Sequence, residues 1–426
     1  LKHGGGAEDM WTRKASILGA SGVSLVLIGM MMSNFQMMVF GVAFVSFIAV
    51  ASWITGHGDI EVVRTLSADN LYKGDDLYVD LEVTNSSWRR TQQLEIYDNI
   101  PHEMKLRSGL NYMRVNLGPG ETTRIRYVLR CPLRGHYSLG PISIRYRDSF
   151  NLFAQEMYVD HRSDLIVFPQ VREIEEAMVR SRTPKMYTGA TTLRTPGPGT
   201  EFFSLREYVP GDPFKIINWK AFARTGTLIV NEKCRDAVTD VFILLDSRDI
   251  SRIGTVLKNP LEVGTVAAAS LASYFIKRRD SVALAVYDDH LSFLPPDTGD
   301  KQYFKILSSL AGVAPKGAMP LQAVTNALSS RFSRGSPVFI ISAAEGDGTT
   351  IPAVRDLAGR GHEVIILSPS SVDFERLVSR IPRTSYEVLK LERQNRLTAL
   401  AGFGARVIDW MPDVELSQAL LQVKMG

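Results

Sequence analysis

One stretch of this chain limits its fold more than any other. Residues 15–56 contain no Asp, Glu, Lys, Arg, His or Pro. A helix needs about 20 apolar residues to cross a bilayer, so a run of this length predicts two crossings. The polar cluster Ser-Asn-Phe-Gln at residues 33–36 marks the break between them. We therefore predict a transmembrane helical hairpin in residues 1–57, with helices over residues 15–32 and 37–55.

Two other structures are compatible with such a run, a cleaved signal peptide and a buried globular hairpin. The second apolar segment follows the first at once and no small-residue cleavage site ends a short core, which favours the membrane hairpin. Its outer flanks carry the basic residues Lys2, Arg13, Lys14 and Arg64, whereas the turn is uncharged. By the positive-inside rule, we expect a multi-pass protein of the cell membrane with its soluble domains in the cytoplasm.

The composition of the whole chain is that of an ordinary globular protein. Of its 426 residues, 45% are hydrophobic and 22% are charged, which predicts two or three domains. The net charge of +4, from 49 Lys and Arg against 45 Asp and Glu, is too balanced for a dedicated nucleic-acid binder. Cys131 and Cys234 lie far apart without metal-ligand spacing. We interpret them as buried thiols, with a disulfide as the alternative.

Residues 58–170 change to a strand-like period. Apolar and polar residues alternate in 77–83 and 123–129, and turn signals such as Lys-Gly-Asp-Asp at 73–76 separate the strands. Further short strands are expected at 93–97, 137–139 and 142–146. This spacing predicts a small all-β sandwich of immunoglobulin-like build. Its scattered histidines, His102, His136 and His161, indicate no catalytic or metal cluster.

Residues 239–426 alternate strands with helices, which predicts an α/β domain with a doubly wound sheet. A polar linker over residues 171–238, with a short helix at 174–179, precedes it. The expected strands of the α/β domain are 241–245, 281–287, 291–294, 338–342, 364–367 and 407–410. Its expected helices are 261–277, 303–310, 321–332, 353–359, 386–401 and 416–423.

The densest group of polar and aromatic residues lies at the end of the linker. The candidate site residues there are Arg206, Glu207, Tyr208, Gly211, Asp212, Asn218, Trp219, Lys220 and Arg224. One interpretation is an interdomain latch, in which the charges pair locally and the aromatic residues pack on the next domain. The second is a surface that binds a partner. A catalytic site is the third, although no activated nucleophile or acid–base pair is evident.

This segment resembles the signature of the family called "domain of unknown function 58". Arg206-Glu207-Tyr208, Gly211-Asp212 and Ile217-Asn218-Trp219-Lys220 match it, whereas Lys215 replaces the usual Arg. Residues 134–141 and 147–153 are similar to two further motifs of the family. The resemblance implies a membrane hairpin, a β domain and a von Willebrand factor A-like domain. It also implies a MoxR-type AAA+ ATPase as the protein partner.

A von Willebrand A-like domain usually carries a metal site, which the resemblance allows us to examine. Asp246 is retained, but Arg248 and Ile250 replace the two serines of its Asp-x-Ser-x-Ser motif. Met319 and Ala343 stand where a Thr and an Asp are usual. We therefore predict a degenerate site that holds no metal. A site rebuilt from Asp246, Asp249 and Asp288 is the alternative.

The chain lacks the common phosphate-binding, zinc-protease, nucleophile-elbow and dinucleotide motifs. From this we predict no catalytic residues and no cofactor. The expected function is a membrane-anchored, non-enzymatic scaffold or adaptor that binds a protein partner through its α/β domain. The alternative is a metal-dependent adhesion or hydrolytic module of the cell envelope.

Overall fold

The fold is taken from a computed structural model. It describes residues 8–54, 59–88, 90–147, 152–174, 191–196, 202–237, 239–411, 414 and 416–421. The chain divides into two compact units, Leu1–Phe168 and Pro169–Gly426.

The first unit contains the apolar hairpin, with helices α1 (Arg13–Met31) and α2 (Phe35–Ile54). Each begins two residues before its predicted start. Helix α1 is long and apolar enough to cross a membrane, and the described apolar part of α2 covers Phe35–Ala51. The two helices touch at their backbones, because a Cβ on Gly41 would lie only 2.8 Å from the carbonyl oxygen of Gly22. Small residues allow such close approach between helices in a membrane.

Short strands form the rest of the first unit. Within the described residues they are β1 Glu8–Trp11, β2 Ile60–Leu66, β3 Asn70–Tyr72, β4 Asp76–Asn85, β5 Thr91–Asp98, β6 Lys105–Gly109, β7 Tyr112–Leu117, β8 Thr122–Arg130, β9 Gly135–Leu139, β10 Ile142–Arg147, β11 Phe153–Val159 and β12 Ser163–Phe168. The strands predicted at residues 77–83, 93–97, 123–129, 137–139 and 142–146, now β4, β5, β8, β9 and β10, are confirmed. Strands β1, β2, β3, β6, β7, β11 and β12 were not individually predicted.

Two sheets of this unit share one apolar core. Their strand orders are β2-β4-β8-β6 and β1-β11-β10-β5-β7, and a third sheet has the order β3-β12-β9. Leu81 and Ile125 of the first sheet belong to the same buried cluster as Ile96 and Ile144 of the second. The two sheets therefore face each other, and their alternating residues fill the space between them.

A buried ion pair lies within the β-rich unit. The Arg64 Nε donates to Asp98 Oδ2 at 3.0 Å, and the Tyr127 hydroxyl donates to the same oxygen at 2.6 Å. Both charged side chains are fully buried. Arg64, which the sequence analysis counts among the basic flanks of the hairpin, is thus a core residue.

The second unit begins with a small sheet of order β13-β15-β14, formed by β13 (Thr191–Pro196), β14 (Phe202–Glu207) and β15 (Ile229–Ala237). The chain between β14 and β15 carries a 3-10 turn, Phe214–Ile216, and helix α3, Trp219–Thr225. The helix predicted at residues 174–179 lies outside the described residues, apart from Ile174. Cys131 is a buried free thiol, as predicted, and the side chain of Cys234 lies outside the described set.

A six-stranded sheet with helices forms the rest of this unit. Its strands are β16 Asp240–Asp246, β17 Ser281–Tyr287, β18 Leu291–Asp297, β19 Pro337–Ile341, β20 Glu363–Pro369 and β21 Arg406–Trp410. Its described helices are α4 Pro260–Lys277, α5 Gly299–Ala311, α6 Leu321–Leu328, α7 Thr350–Gly359, α8 Ser371–Arg376, α9 Arg383–Gly402 and α10 Leu416–Leu421. The sequence predicted each of these strands and every helix except α8.

The strand order is β18-β17-β16-β19-β20-β21. Strand β18 pairs antiparallel to β17, and the other neighbours are parallel. Helices cover both faces. Phe242 and Leu244 belong to a cluster with residues of α6, α7 and α9, whereas Phe339 points to the other face and meets Phe275 of α4 at 5.6 Å between ring centroids.

Candidate functional site

The candidate site lies where the carboxyl ends of β16 and β19 separate. These strands are neighbours, but the chain leaves β16 towards β17 and leaves β19 towards β20, on opposite sides. Such a reversal of strand order opens a crevice at the carboxyl edge, which is where α/β sheets bind their ligands. Asp246 is the last residue of β16, and Ser342 comes directly after β19.

A guanidinium group occupies this crevice. The Arg248 Nε and Nη2 atoms donate to the two carboxylate oxygens of Asp246 at 2.9 and 2.7 Å. The third nitrogen, Nη1, donates to Asp347 Oδ2 at 3.0 Å. The Arg248 side chain is only 6% exposed. A fixed cation thus lies between two buried carboxylates, and its planar fork satisfies Asp246 at both oxygens.

Both carboxylates have further hydrogen bonds. The Ser342 hydroxyl donates to Asp246 at 2.6 Å. Asp347 accepts from the backbone N–H of Leu321 at 2.8 Å, at the start of α6, and from the N–H and hydroxyl of Thr349. Burial raises the pKa of Asp347, but these bonds and Arg248 together hold it below its usual value. Asp347 therefore stays ionised and links the guanidinium to a helix N-terminus.

The other residues that replace the expected metal ligands have apolar side chains, which supply no oxygen ligand for a metal ion. Ile250 lies in the 3-10 turn Asp249–Arg252, Met319 packs against the apolar core, and Ala343 is buried. Within the described residues, no three His, Cys, Asp or Glu side chains group around a point that could hold a metal ion. The donor set of this crevice therefore fits a resident guanidinium better than a divalent ion.

The alternative metal site requires three carboxylates to converge, and the structure gives each a different cation. Asp246 pairs with Arg248, Asp249 with Arg252 at 3.2 Å, and Asp288 with the Lys316 ammonium at 3.4 Å.

A second buried arginine braces the loop that carries Asp347. Arg393 of α9 donates to the carbonyl oxygen of Ala343 at 3.0 Å and to that of Ser368 at 2.9 Å. It also pairs with Glu345 at 3.0 Å and Asp409 at 2.8 Å. The chain after β19 is thus held from two sides by arginines. Sequence reasoning missed both Asp347 and Arg393, because each lies far from its partners along the chain.

The candidate residues of the linker form a separate cluster around Arg206. Two guanidinium nitrogens of Arg206 donate to the two oxygens of Asp212 at 2.7 and 2.8 Å, and Nε donates to Glu232 at 2.8 Å. Hydrogen bonds from Arg206, and then from the Val209 N–H, hold the pKa of Asp212 at about 2. Local charge pairing is as expected for a latch. Glu232, not Glu207, is the second carboxylate.

Turn geometry explains two further candidates. Gly211 has a φ of +113°, a conformation that favours glycine, in the turn that brings Asp212 to Arg206. The Asn218 side chain caps helix α3 by accepting from the Ala221 N–H at 3.0 Å, and its amide donates to Asn231. Both residues therefore shape the chain between β14 and β15.

The aromatic residues differ from the latch expectation. Trp219 is 57% exposed, so it is not the buried anchor that a latch requires. Trp219 meets Phe222 edge to face at 6.2 Å, and Tyr208 stacks on Phe214 at 6.4 Å. Both contacts join residues that lie close together in the sequence. Neither Trp219 nor Tyr208 reaches a core. Lys220 and Arg224, on the same helix, are exposed as well.

Part of this chain is similar to a known protein family and to proteins of two mycobacteria. Residues 204–373 match the family described as "Protein of unknown function DUF58". Uncharacterized proteins of Mycobacterium tuberculosis and Mycobacterium bovis are 26% identical to this chain over 185 residues. That alignment covers 42% of this chain and 58% of the length of the mycobacterial relatives.

The solved structures resemble only a smaller part of the chain. The CARDB domain of the PF1109 protein from Pyrococcus furiosus is 14% identical, with 26% of this chain and 88% of that domain covered and a TM-score of 0.19. The C-terminal domain of wzt is 12% identical, with 27% and 77% covered and a TM-score of 0.19. The matched family region, residues 204–373, takes in both the Arg206 cluster and the Arg248 cluster.

Proposed function

We propose that this chain is a membrane-anchored, non-enzymatic scaffold that binds a protein partner at the carboxyl edge of its six-stranded sheet. The observation that carries the proposal is the Arg248 guanidinium between Asp246 and Asp347. A bound divalent ion would have to displace a buried cation that already has its carboxylates. Binding at this edge is therefore independent of metal.

The strand order supports a von Willebrand factor A-like fold for the sheet. Parallel strands in the order given above, with an antiparallel edge strand and helices on both faces, are typical of doubly wound sheets. The carboxyl edge is then the binding edge. Its exposed charged residues include Asp249 and Arg252, which suit a polar protein surface. By family resemblance, the partner is a MoxR-type AAA+ ATPase.

The hairpin supports membrane anchoring. Its outer surface exposes large apolar side chains on both helices, among them Ile17, Leu27, Phe35 and Phe40. An exposed apolar surface of this kind is costly in water and is ordinary in a bilayer. With Lys2 before the first helix and Arg13 and Lys14 in its first turn, the soluble domains lie in the cytoplasm.

Cysteine labelling tests the topology. A cysteine at Asn34, in the hairpin turn, is expected to react with an impermeant reagent in intact cells. A cysteine at Gly118, in the β-rich unit, is expected to be protected until the cells are opened. Reaction at Gly118 but not at Asn34 contradicts the cytoplasmic assignment.

Capture of the partner tests the scaffold. Tagged full-length chain is purified from native membranes, with Mg²⁺ or with a chelator, as wild type, Arg252→Glu and Lys277→Glu. Arg252 lies at the carboxyl edge, whereas Lys277 ends α4 just before the amino end of β17. We expect the partner to be lost in Arg252→Glu only, and the chelator to have no effect. Retention of the partner in Arg252→Glu contradicts the proposal. Because an AAA+ ATPase binds Mg²⁺ with its own nucleotide, loss with chelator favours the metal-dependent adhesion or hydrolytic module only if the purified partner stays assembled in the same chelator.

A further inference from the structure

A second exposed surface of the chain is not used by the proposed function. The chain between β14 and β15, residues 208–228, returns on itself, because the Tyr208 N–H donates to the Leu228 carbonyl at 2.9 Å. The Asn218 N–H donates to the Ile229 carbonyl at 2.8 Å and pins the middle of the segment to β15. We call residues 208–228 the tip, since they lie at one end of the β14–β15 pair.

The tip concentrates exposed apolar side chains. Phe214 is 73% exposed, and the other exposed large apolar residues of the tip are Val209, Trp219, Phe222 and Leu228. Five exposed large apolar residues within 21 residues are unusual for a surface that faces only water. Aromatic rings contact one another here in two pairs, so the apolar area is held in place rather than scattered.

The charges of the tip are mainly positive. Lys215, Lys220 and Arg224 are exposed, and none of them makes an ion pair with a residue that the structure describes. Of the two acidic residues in or beside the tip, Asp212 is already paired with Arg206. Glu207 is the remaining one. Three available cations therefore lie in the same short segment as the exposed aromatic residues.

We propose that the tip binds the surface of a membrane that contains anionic lipids. Trp and Phe side chains are favoured at the boundary between headgroups and acyl chains, and Lys and Arg beside them bind anionic headgroups. Charge complementarity selects this occupant, and the apolar hairpin of the proposed function would anchor the same chain to a bilayer. The proposal rests on the membrane hairpin of the proposed function. It gives the chain a second, lipid-dependent contact with the bilayer.

Hydrogen exchange of the full chain in nanodiscs tests this. The chain is reconstituted in phosphatidylcholine alone or in phosphatidylcholine mixed with phosphatidylglycerol, with no other protein present. We expect backbone amides of residues 208–228 to exchange more slowly, by about tenfold, in the anionic nanodiscs, since each Lys or Arg near an anionic surface adds binding free energy. Protection of the hairpin helices in both lipids reports separately on membrane insertion.

Two variants make the test specific. Lys215→Glu with Lys220→Glu and Arg224→Glu is expected to abolish the protection of the tip. Lys301→Glu with Lys305→Glu, at exposed positions of α5, is the matched control and is expected to keep it. An unchanged melting temperature shows that the tip variant is folded.

Two results overturn the proposal. In the first, the backbone amides of the tip exchange at the same rate in the two lipids while the hairpin is protected. This result would favour a protein as the partner of this surface. The other is protection that survives the triple charge reversal. If the hairpin itself is unprotected in both lipids, the membrane anchor fails and the proposal fails with it.

Discussion

The two arginine clusters of the second unit have the same chemistry in different surroundings. Arg248 lies between Asp246 and Asp347, and Arg206 lies between Asp212 and Glu232. The Arg248 side chain is 6% exposed and both its carboxylates are buried, whereas Arg206 is 37% exposed. Water reaches the second cluster and is largely excluded from the first.

This difference decides what each cluster can do. Removing one member of a buried pair leaves a charge without water or partner, which strongly destabilises the fold. A pair that water reaches loses much of its Coulomb energy to screening and is worth far less. We infer that Arg248 stands in place of an ion at the centre of the sheet edge. Arg206 only shapes a surface segment.

The largest expected effect is that of Arg248→Ala. The variant leaves Asp246 and Asp347 buried without their cation, which costs about 3–5 kcal/mol of the free energy of unfolding. The matched control is Arg252→Ala, four residues on, where an exposed pair with Asp249 is worth about 0–1 kcal/mol. Denaturant unfolding of the full chain in detergent measures both. Equal stability of the two variants contradicts the central role of Arg248.

Asp280 is a buried carboxylate whose arginine partner lies farther away than the partner of Asp246, so it extends the comparison of the two clusters. Asp280 is buried and its Oδ2 lies 3.9 Å from the Arg278 Nε. Burial raises its pKa to about 6, and the Thr239 N–H and Arg278 oppose the shift only in part. This pKa lies above the unfolded value of 3.8, so the folded state holds the proton of Asp280 more tightly than the unfolded state does. The resulting contribution to the free energy of unfolding is fully present below pH 3.8 and is lost as the pH rises through about 6.

Asp280→Asn is therefore expected to remove this loss and to be more stable than wild type above pH 6. Melting temperatures of the two proteins between pH 4 and 8 check it. The control is Asp356→Asn, at an exposed pair with Arg360, which should follow the wild-type curve. A wild-type curve that rises with pH where Asp280→Asn is flat would show that Asp280 is stabilised as the anion.

The smallest expected effect on stability is that of Trp219→Ala. Because Trp219 is exposed, its truncation opens no cavity and the melting temperature should stay within about one degree of wild type. Arg206→Ala should lower the melting temperature more than this, since it leaves Asp212 and Glu232 without their cation. A large loss of stability in Trp219→Ala would restore the latch interpretation.

The sequence predicted the elements of the fold better than their contacts. Alternation predicted β4 and β8, and a continuous apolar run predicted the parallel strand β16, because each pattern reports directly on burial. Helix α8 was missed, since six residues are too few to show a helical period. The apolar hairpin was predicted within two residues at each helix start, since nothing interrupts its run.

The site was predicted only where its partners are close in sequence. Arg248 and Asp246 are two residues apart, and the replacement of a serine by an arginine already indicated a cation at that position. Asp347 comes about a hundred residues later, and only the sheet order brings it to Arg248. For Trp219, the resemblance to the family signature identified a candidate residue but not its burial, which depends on whether a neighbour covers it.

Melting of the full chain with Mg²⁺ or with a chelator tests most directly whether Arg248 is the resident cation of this site. A ligand that binds only the folded state adds about 2.7 kcal/mol at a hundredfold excess over its Kd. We expect identical melting temperatures in the two conditions, because the guanidinium already occupies the carboxylates. A reproducible rise of several degrees with Mg²⁺ would contradict it.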